Sequence, residues 1–250
     1  MTRKTVAYVT RFSPRQRVEH LLIMLLFLLL ALTGLPQKFF AAPWAQWLIL
    51  HMGGIDRVHW LHRVCGIIFT LGAVEHLAVL VGGVLVGRSG FSMVPTKKDF
   101  RDAIVMLRYY LGTSDERARF DRYDYRQKFE YWGLVFGGTI MIVTGFILYF
   151  PALVTSVLPG EFIPAAKVAH SSEGLLAFLI VIIWHIYNAH MSPEVFPFDP
   201  SIFTGKVRVE RLQHEHPLEY ARLVSEGKAP ADPHASPETP APAKPGSEPP

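Results

Sequence analysis

Four stretches of the chain are almost continuously apolar, and polar or charged segments separate them. They cover approximately residues 18–35, 62–86, 131–150 and 168–189. Each run is close to the roughly 20 residues that a helix needs to cross a bilayer core. A buried helix of a soluble protein can also be apolar, but four uninterrupted runs of this length favour the membrane interpretation. The pattern predicts an all-α integral membrane protein built as a four-helix bundle.

The segments outside the four runs differ in character. Residues 95–128 are polar and helix-compatible, which predicts a connector with one or two surface helices. From residue 227 the chain is rich in Pro, Ala and Ser and lacks aromatic residues. We therefore expect a membrane domain over residues 1–226 and a disordered tail over residues 227–250. The first apolar run is longer than the core of a signal peptide, so it is predicted to be a span.

The composition agrees with this class, because 50% of the 250 residues are hydrophobic. The distribution of the 25 Lys and Arg residues predicts the orientation, since most of them flank the apolar runs on one side. Only four fall on the opposite side: Lys38, Arg57, Arg63 and Lys167. This asymmetry predicts an even number of spans with both termini in the cytoplasm. The net charge of +4 is therefore a topology signal and does not indicate nucleic-acid binding.

Cys65 is the only cysteine and lies within the second apolar run. A single cysteine excludes internal disulfides, cysteine-ligated clusters and the C-x-x-C-H attachment of c-type haem. A redox centre in this chain would need other ligands.

Histidines offer such ligands at two depths of the predicted membrane. His62 and His76 are separated by about 21 Å along the second predicted helix, and His170 and His185 by about 22 Å along the fourth. Two helices that each carry two histidines near one face can hold two macrocycles between them. His62 and His170 belong to the outer side, whereas His76, His185 and His20 belong to the cytoplasmic side.

Glycines support the macrocycle interpretation. Gly66 follows His62 by four residues, and Gly174 follows His170 by four. A glycine one turn after the ligand leaves room for a planar porphyrin against the helix. The alternative is that the glycines allow close helix packing and that the histidines bond neighbouring helices. An iron with two imidazole ligands has no open position, so such a centre transfers electrons.

Several motifs, in their order and spacing, resemble a known family. These are RFSPRQRVEH at 11–20, HWLHRVCGI at 59–67, RYDYRQKFEYW at 122–132, AHSSEGLL and HIYNAH in the last span, and EHPLEY near the C-terminus. The chain resembles the membrane cytochrome b subunit of the formate dehydrogenase gamma type, a group that includes subunits of other periplasmic oxidoreductases and of multihaem cytochrome complexes.

The resemblance implies two b haems and a quinone site on the cytoplasmic side. His62 and His170 match the ligands of the outer haem, and His20 and His185 match those of the inner haem. Asp124 and Gln127, together with His185, match the quinone pocket. Two departures are present: Asp124 and Arg126 stand where the family has Asn and Gly, and the last-span histidines are fifteen residues apart where the family has fourteen. A local bulge or a different haem tilt would absorb the extra residue.

The inner haem leaves a choice between two ligands. The family match favours His20 as the partner of His185, because the match includes the residues that flank His20. Spacing alone favours His76, because its fourteen-residue interval from His62 repeats the arrangement of the cytochrome b of quinol:cytochrome c oxidoreductases. The histidine that is not a ligand would then serve as a quinone or proton-relay residue.

The resemblance also implies the role of the chain. We expect a multi-pass inner-membrane subunit that carries electrons between the quinone pool, of menaquinone or ubiquinone, and a periplasmic partner. That partner is an oxidoreductase with an iron-sulfur subunit or a multihaem cytochrome c, and it holds the main catalytic site. Membrane lipid is the remaining partner, no nucleic acid is expected, and a higher oligomer is compatible with the sequence. The alternative is a non-redox transporter or proton channel with histidines along a polar path, although broken spans and inverted repeats are not evident.

Overall fold

A computed structural model describes residues 6–87, 92–193 and 195–231 of the protein. The elements, in chain order, are β1 (Tyr8–Thr10), α1 (Pro14–Lys38), α2 (Pro43–His51), α3 (Ile55–Leu85), α4 (Lys97–Tyr110), α5 (Tyr125–Tyr149), α6 (Pro151–Thr155), α7 (Phe162–Met191), α8 (Ser201–Thr204), β2 (Lys206–Arg208), α9 (Val209–Glu215) and α10 (Pro217–Ser225). Helices α1, α3, α5 and α7 are each long and apolar enough to cross a membrane. The predicted four-span, all-helical membrane fold is therefore confirmed.

The spanning helices extend beyond the apolar runs, and polar caps explain the extra turns. The side chain of Ser13 accepts a hydrogen bond from the backbone N–H of Gln16, and the side-chain oxygen of Gln16 accepts one from the backbone N–H of Ser13. Asp124 and Gln127 form the same reciprocal capping box at the start of α5. Each box satisfies backbone donors that would otherwise have no partner. Both helices can therefore begin several residues before the chain becomes apolar.

The four long helices pack as two pairs. Helix α1 packs mainly against α3, and α5 mainly against α7, while α1 also contacts α7 and α3 also contacts α5. Helices α1 and α5 begin, and α3 and α7 end, at one end of the bundle, which we call the terminus end. The other end, which carries α2 and α6 in its connections, is the hairpin end.

The extra residue between His170 and His185 has a local structural counterpart. Helix α7 changes from α-helix to π-helix over Ile180–His185, and a second π-helical segment covers Tyr187–Met191. A π-helical turn accommodates one residue more than an α-helical turn. A local bulge, the first of the two explanations considered for the extra residue, is therefore present between the two histidines.

The segments before the first span and after the fourth span form a small domain at the terminus end, which we call the terminal cap (β1, β2, α9 and α10). Strands β1 and β2 are antiparallel, with Val9 opposite Val207. Its hydrophobic core consists of Val9, Val207, Val209, Leu212 and Tyr220. Because the strands flank all four spans, both ends of the bundle sequence lie on one side of it.

The predicted polar connector contains one helix within the residues that the structure describes. This helix, α4, is attached to α5 by an ion pair in which Lys128 Nζ lies 2.8 Å from Asp99 Oδ2. The indole of Trp132 donates a hydrogen bond to the Met93 carbonyl at 2.9 Å. The connector therefore lies against the terminus end of α5.

The predicted disordered tail begins at residue 227, and its first residues are described. The Tyr220 hydroxyl donates to the carbonyls of Pro230 and Ala231, at 2.9 Å each. These residues therefore lie along α10. The rest of the predicted tail, residues 232–250, lies outside the described residues.

Candidate functional site

Two of the predicted ligands face each other near the hairpin end. His62 of α3 and His170 of α7 have ring centroids 6.2 Å apart, and their planes are nearly perpendicular at 78°. The two helices are not the main packing partners of one another in the bundle. The imidazoles therefore meet across the bundle interior, where a ligand between them would be shielded from lipid.

A threonine orients each of these rings. Thr33 Oγ1 donates its hydrogen to the Leu29 carbonyl at 2.7 Å and lies 2.8 Å from His62 Nδ1. Since that hydroxyl has only one hydrogen, its oxygen must accept from Nδ1. Nδ1 therefore carries the hydrogen, and Nε2 of His62 keeps a free lone pair.

The second threonine repeats this arrangement. Thr144 Oγ1 donates to the Ile140 carbonyl at 2.5 Å and lies 3.0 Å from His170 Nδ1. Nε2 of His170 is therefore also free to bind a metal. Hydrogen bonds of this kind fix the tautomer and orientation of metal-binding histidines.

Glycines allow the close approach of helix and ring. A Cβ atom at Gly34 would lie 3.1 Å from His62 Cε1, and one at Gly145 would lie 3.3 Å from His170 Cε1. Both distances are shorter than ordinary van der Waals contacts. The predicted glycines behave differently: a Cβ at Gly66 meets nothing within 4 Å, and one at Gly174 meets only the Met141 side chain, at 3.4 Å. Gly66 therefore leaves space and does not serve close packing.

A second pair of imidazoles lies near the terminus end. His20 of α1 and His185 of α7 have ring centroids 6.2 Å apart and an interplanar angle of 34°. Glu130 Oε2 lies 3.0 Å from His185 Nδ1, so the carboxylate accepts the Nδ1 hydrogen and leaves Nε2 free. The Nδ1 atom of His20 is buried and has no hydrogen-bond partner. Such an orphaned polar atom indicates a missing partner.

His76 has different neighbours from those of His20, His62, His170 and His185. Its Nδ1 lies 3.2 Å from Glu19 Oε2, and its Nε2 lies 3.4 Å from the Tyr131 hydroxyl. Its ring is paired with Tyr131, with centroids 6.2 Å apart. Among the described ring contacts, therefore, the structure brings His20 to His185 and His76 to Tyr131.

The two facing pairs fit an iron ion with two axial imidazoles. Bonds of about 2 Å from a metal to a histidine nitrogen on each side would separate the ring centroids by about 6 Å. Both observed separations are 6.2 Å. The free Nε2 atoms and the open space at Gly66 also suit a planar macrocycle. The donor set contains only imidazole nitrogens, and such a set suits the bis-histidine ligation of a haem b.

Asp124 and Gln127, the predicted quinone residues, lie at the first turn of α5. Asp124 is only 4% exposed. Its Oδ1 accepts from the Gln127 backbone at 2.9 Å, and its Oδ2 accepts from Arg126 at 2.8 Å. Within the described contacts these side chains cap the helix, and Glu130, about one turn later, contacts His185. Their quinone role stays a prediction.

An internal repeat, which the sequence analysis missed, underlies these contacts. RFSPRQRVEH at 11–20 corresponds to RYDYRQKFEY at 122–131. Arg11 and Arg122 are separated by 111 positions, and each donates a hydrogen bond to the carbonyl of the other at 2.6 Å. The same interval relates Glu19 to Glu130, His20 to Tyr131, Thr33 to Thr144 and Gly34 to Gly145. In the sequence, the repeat could have been detected from the few identical residues shared by RQRVEH and RQKFEY.

The repeat gives the bundle an approximate two-fold relation, in which α1 corresponds to α5 and α3 to α7. The pair at the hairpin end joins two equivalent residues, His62 and His170, and therefore lies on the axis. The pair at the terminus end does not, because His20 corresponds to Tyr131 and His185 to His76. That site therefore exists twice, once as His20 and His185 and once as Tyr131 and His76.

A buried charge network closes the terminus end. Glu219 of α10 lies 3.5 Å from Arg11 Nη1 and 3.0 Å from Arg122 Nη1. His216 donates from Nδ1 to the Asp121 carbonyl at 2.6 Å and accepts at Nε2 from Arg11 at 3.0 Å. Burial and the neighbouring Arg11 guanidinium lower the pKa of His216 to about 4. His216 is therefore a neutral member of the network at ordinary pH.

Comparisons with known proteins identify the family of the chain. The sequence profile of the prokaryotic cytochrome b561 family matches residues 11–196. The cytochrome b556(Fdn) subunit of the nitrate-inducible formate dehydrogenase of Escherichia coli (strain K12) is 22% identical over 223 residues, which cover 89% of this chain and 94% of that protein. The formate dehydrogenase cytochrome b556(fdo) subunit of the same strain is 24% identical over 184 residues, which cover 72% and 78%. The matched region includes all four spanning helices.

Proposed function

The chain belongs to the prokaryotic cytochrome b561 family, and from that premise we propose that it is a di-haem subunit connecting an extracytoplasmic redox partner to the quinone pool. The family and the formate dehydrogenase relatives establish a membrane cytochrome b that transfers electrons and resides, multi-pass, in the bacterial inner membrane. This membership favours electron transfer over the transporter or channel alternative. The number of haems, the partner and the quinone reaction belong to the proposal.

The observation that carries the proposal is the presence of two facing imidazole pairs at two depths. His62 and His170 would hold one haem b, and His20 and His185 would hold the other. A haem b with two imidazole ligands supplies one-electron transfer and offers no open position for oxygen. Thr33, Thr144 and Glu130 would keep the Nε2 atoms of three of the ligands directed at the metals.

The depth of the two pairs suits transfer across the membrane. The fourteen residues from His62 to the level of His76 correspond to about 21 Å of helix. This distance is most of a hydrocarbon core of about 30 Å. Two redox centres at these levels would therefore carry an electron between the two membrane surfaces.

The orientation follows from the positive-inside rule. The terminus end carries most of the Lys and Arg residues and would face the cytoplasm. The hairpin end would then face the periplasm and receive the partner. The relatives are subunits of formate dehydrogenases, which supports an oxidoreductase with an iron-sulfur subunit as the partner; a multihaem cytochrome c is the other candidate.

Quinone would react at the terminus end, beside His185 and the polar start of α5 with Asp124 and Gln127. Conversion of one quinone to a quinol requires two electrons and two protons. The electrons would come one at a time from the periplasmic partner, and the protons would come from the cytoplasm. Either menaquinone or ubiquinone satisfies this chemistry.

Haem quantification tests the proposal directly. Pyridine haemochrome analysis of the purified chain is expected to give about two haems b per chain. His20→Ala is expected to remove the inner haem, whereas His76→Ala is expected to retain it. A value near one in the unaltered chain would contradict the di-haem proposal. Loss of the inner haem only in His76→Ala would transfer the ligand from His20 to His76.

A further inference from the structure

The second copy of the terminus-end site is not used by the function proposed above. Its two rings, Tyr131 on α5 and His76 on α3, are 6.2 Å apart, which is the separation of His20 and His185. Glu19 contacts His76 Nδ1 at 3.2 Å, as Glu130 contacts His185 Nδ1 at 3.0 Å. The copy therefore retains the geometry of a ligand site, with a phenol in place of one imidazole.

The hydrogen bonds define what this site can recognise. The Glu19 carboxylate can only accept, so His76 carries its hydrogen on Nδ1 and presents a lone pair at Nε2. The Tyr131 hydroxyl, 3.4 Å from that lone pair, has one hydrogen and can also accept. A long contact of this kind is easily replaced by hydrogen bonds to a ligand. The pair thus offers a donor for a carbonyl and an acceptor for a hydroxyl.

The site is accessible from outside the bundle. The His76 side chain is 40% exposed although it lies in a spanning helix. Asp124, Gln127 and Tyr131 follow one another at helical spacing along one face of α5. The face thus runs from the polar first turn of α5 to the phenol. A lipid-soluble molecule with a polar head could reach the pair from this side.

We propose that Tyr131 and His76 bind the head group of a quinone or quinol. The site lies at the same level as His20 and His185, because Glu19 precedes His20 and Glu130 precedes Tyr131 in the sequence. The two sites lie on different helix pairs of one bundle, the first on α1 and α7 and the second on α3 and α5. One copy of a duplicated site therefore holds a fixed redox group, and the other holds an exchangeable one. This inference rests on the proposed quinone reaction and specifies where the quinone binds.

The first experiment uses membranes that contain the full chain. A short-chain quinol is added, and reduction of the b haems is followed by stopped-flow absorbance. Tyr131→Phe and His76→Gln are expected to raise the quinol concentration for half-maximal rate about tenfold, since the first removes the phenol hydroxyl and the second removes the imidazole acceptor that the head group would contact. Haem content and the reduced spectrum are expected to stay unchanged. Tyr149→Phe, the same substitution at the hairpin end of α5, is the matched control.

The outcomes separate this inference from the function on which it rests. If quinol reduces the haems and both variants behave like the unaltered chain, this inference is wrong while the quinone reaction stands. If quinol does not reduce the haems of the unaltered chain, the quinone reaction itself is refuted. Loss of the inner haem in His76→Gln would also overturn the inference, because His76 would then be a ligand.

A second measurement needs no variant. An azidoquinone is photolysed in membranes that contain the unaltered chain, and the labelled peptides are identified by mass spectrometry. Labelling of peptides that contain His76 or Tyr131, reduced by competing quinol, is the expected result. Specific labelling confined to other helices would contradict the proposed site.

Discussion

Replacement of Glu219 by glutamine is expected to loosen the terminal cap without affecting the four-helix bundle. Glutamine keeps the shape of the side chain and one acceptor oxygen, but it removes the negative charge between Arg11 and Arg122. The side chains of Glu219 and Arg11 are 2% and 7% exposed, and that of Arg122 is 29% exposed. The substitution therefore leaves two neighbouring guanidinium groups, that of Arg11 buried, without the carboxylate that lies between them.

The magnitude follows from the burial of these groups. Removing one partner from a buried ion pair costs about 3–5 kcal/mol, because the remaining charge stays desolvated. Arg122 retains some contact with water, so the lower limit of about 3 kcal/mol is the appropriate value. If the cap opens as a unit, this change corresponds to roughly a 150-fold loss of hydrogen-exchange protection in the amides of β1, β2 and α10.

Hydrogen exchange with mass spectrometry on the chain in lipid nanodiscs measures this change. Amides in α1, α3, α5 and α7 serve as the internal reference, because they do not take part in the opening of the cap. Glu226→Gln is the matched control, since its pair with Lys228 is exposed and contributes little. A loss of protection below about fivefold in Glu219→Gln would refute the reasoning, because it would mean that water already solvates the two arginines.

Three further predictions concern protonation, redox potential and charge movement. The pKa of His216 is about 4 in the folded chain and about 6.5 when unfolded. The stability of the cap is therefore complete above pH 6.5 and falls, by at most about 3 kcal/mol, as the pH decreases toward 4. This pH dependence is expected to disappear in His216→Gln but not in the exposed control His214→Gln. Glu130→Gln weakens the acceptor that binds the Nδ1 hydrogen of His185. It is expected to raise the midpoint potential of the proposed inner haem by about 60 mV, which corresponds to a tenfold change in the equilibrium constant for one electron. An unchanged potential in a spectroscopic redox titration would exclude this role of Glu130. Proteoliposomes that contain the complete complex are expected to build a membrane potential during quinone reduction, because each electron would cross most of the bilayer; a voltage-sensitive dye that shows none would contradict the placement of quinone at the terminus end.

The sequence predicted the spans and the histidine levels because both depend on simple regularities. A spanning helix must be long and apolar, and ligands at two depths must be separated by a fixed rise along the helix. The helix ends were less predictable. Capping by Ser13 and Asp124 extends α1 and α5 into polar sequence, and α3 begins at Ile55, before the apolar run predicted from residue 62.

The residues that orient the proposed ligands could not be predicted one by one. Thr33 and Thr144 are single polar residues in apolar helices, where a threonine commonly bonds only its own backbone. Their second role depends on the distance to a histidine of another helix, and hydropathy does not contain that information. The partner of His185 likewise depends on which faces of α1 and α3 are turned toward α7. Alignment of the chain with itself at an offset of 111 residues would have paired Thr33 with Thr144, since each is followed directly by a glycine.

The pairing of β1 with β2 has a consequence for biosynthesis. A ribosome releases β1 before any span is made, whereas β2 and α10 emerge only after the fourth span. Arg11 and Arg122 therefore remain without Glu219 until nearly the whole chain has been translated and inserted. A chain that stops early, or that leaves one helix outside the bilayer, delivers β2 to the wrong side or not at all. Closure of the cap thus reports complete insertion, and quality-control proteases could distinguish finished from unfinished chains by the exposed N-terminal strand.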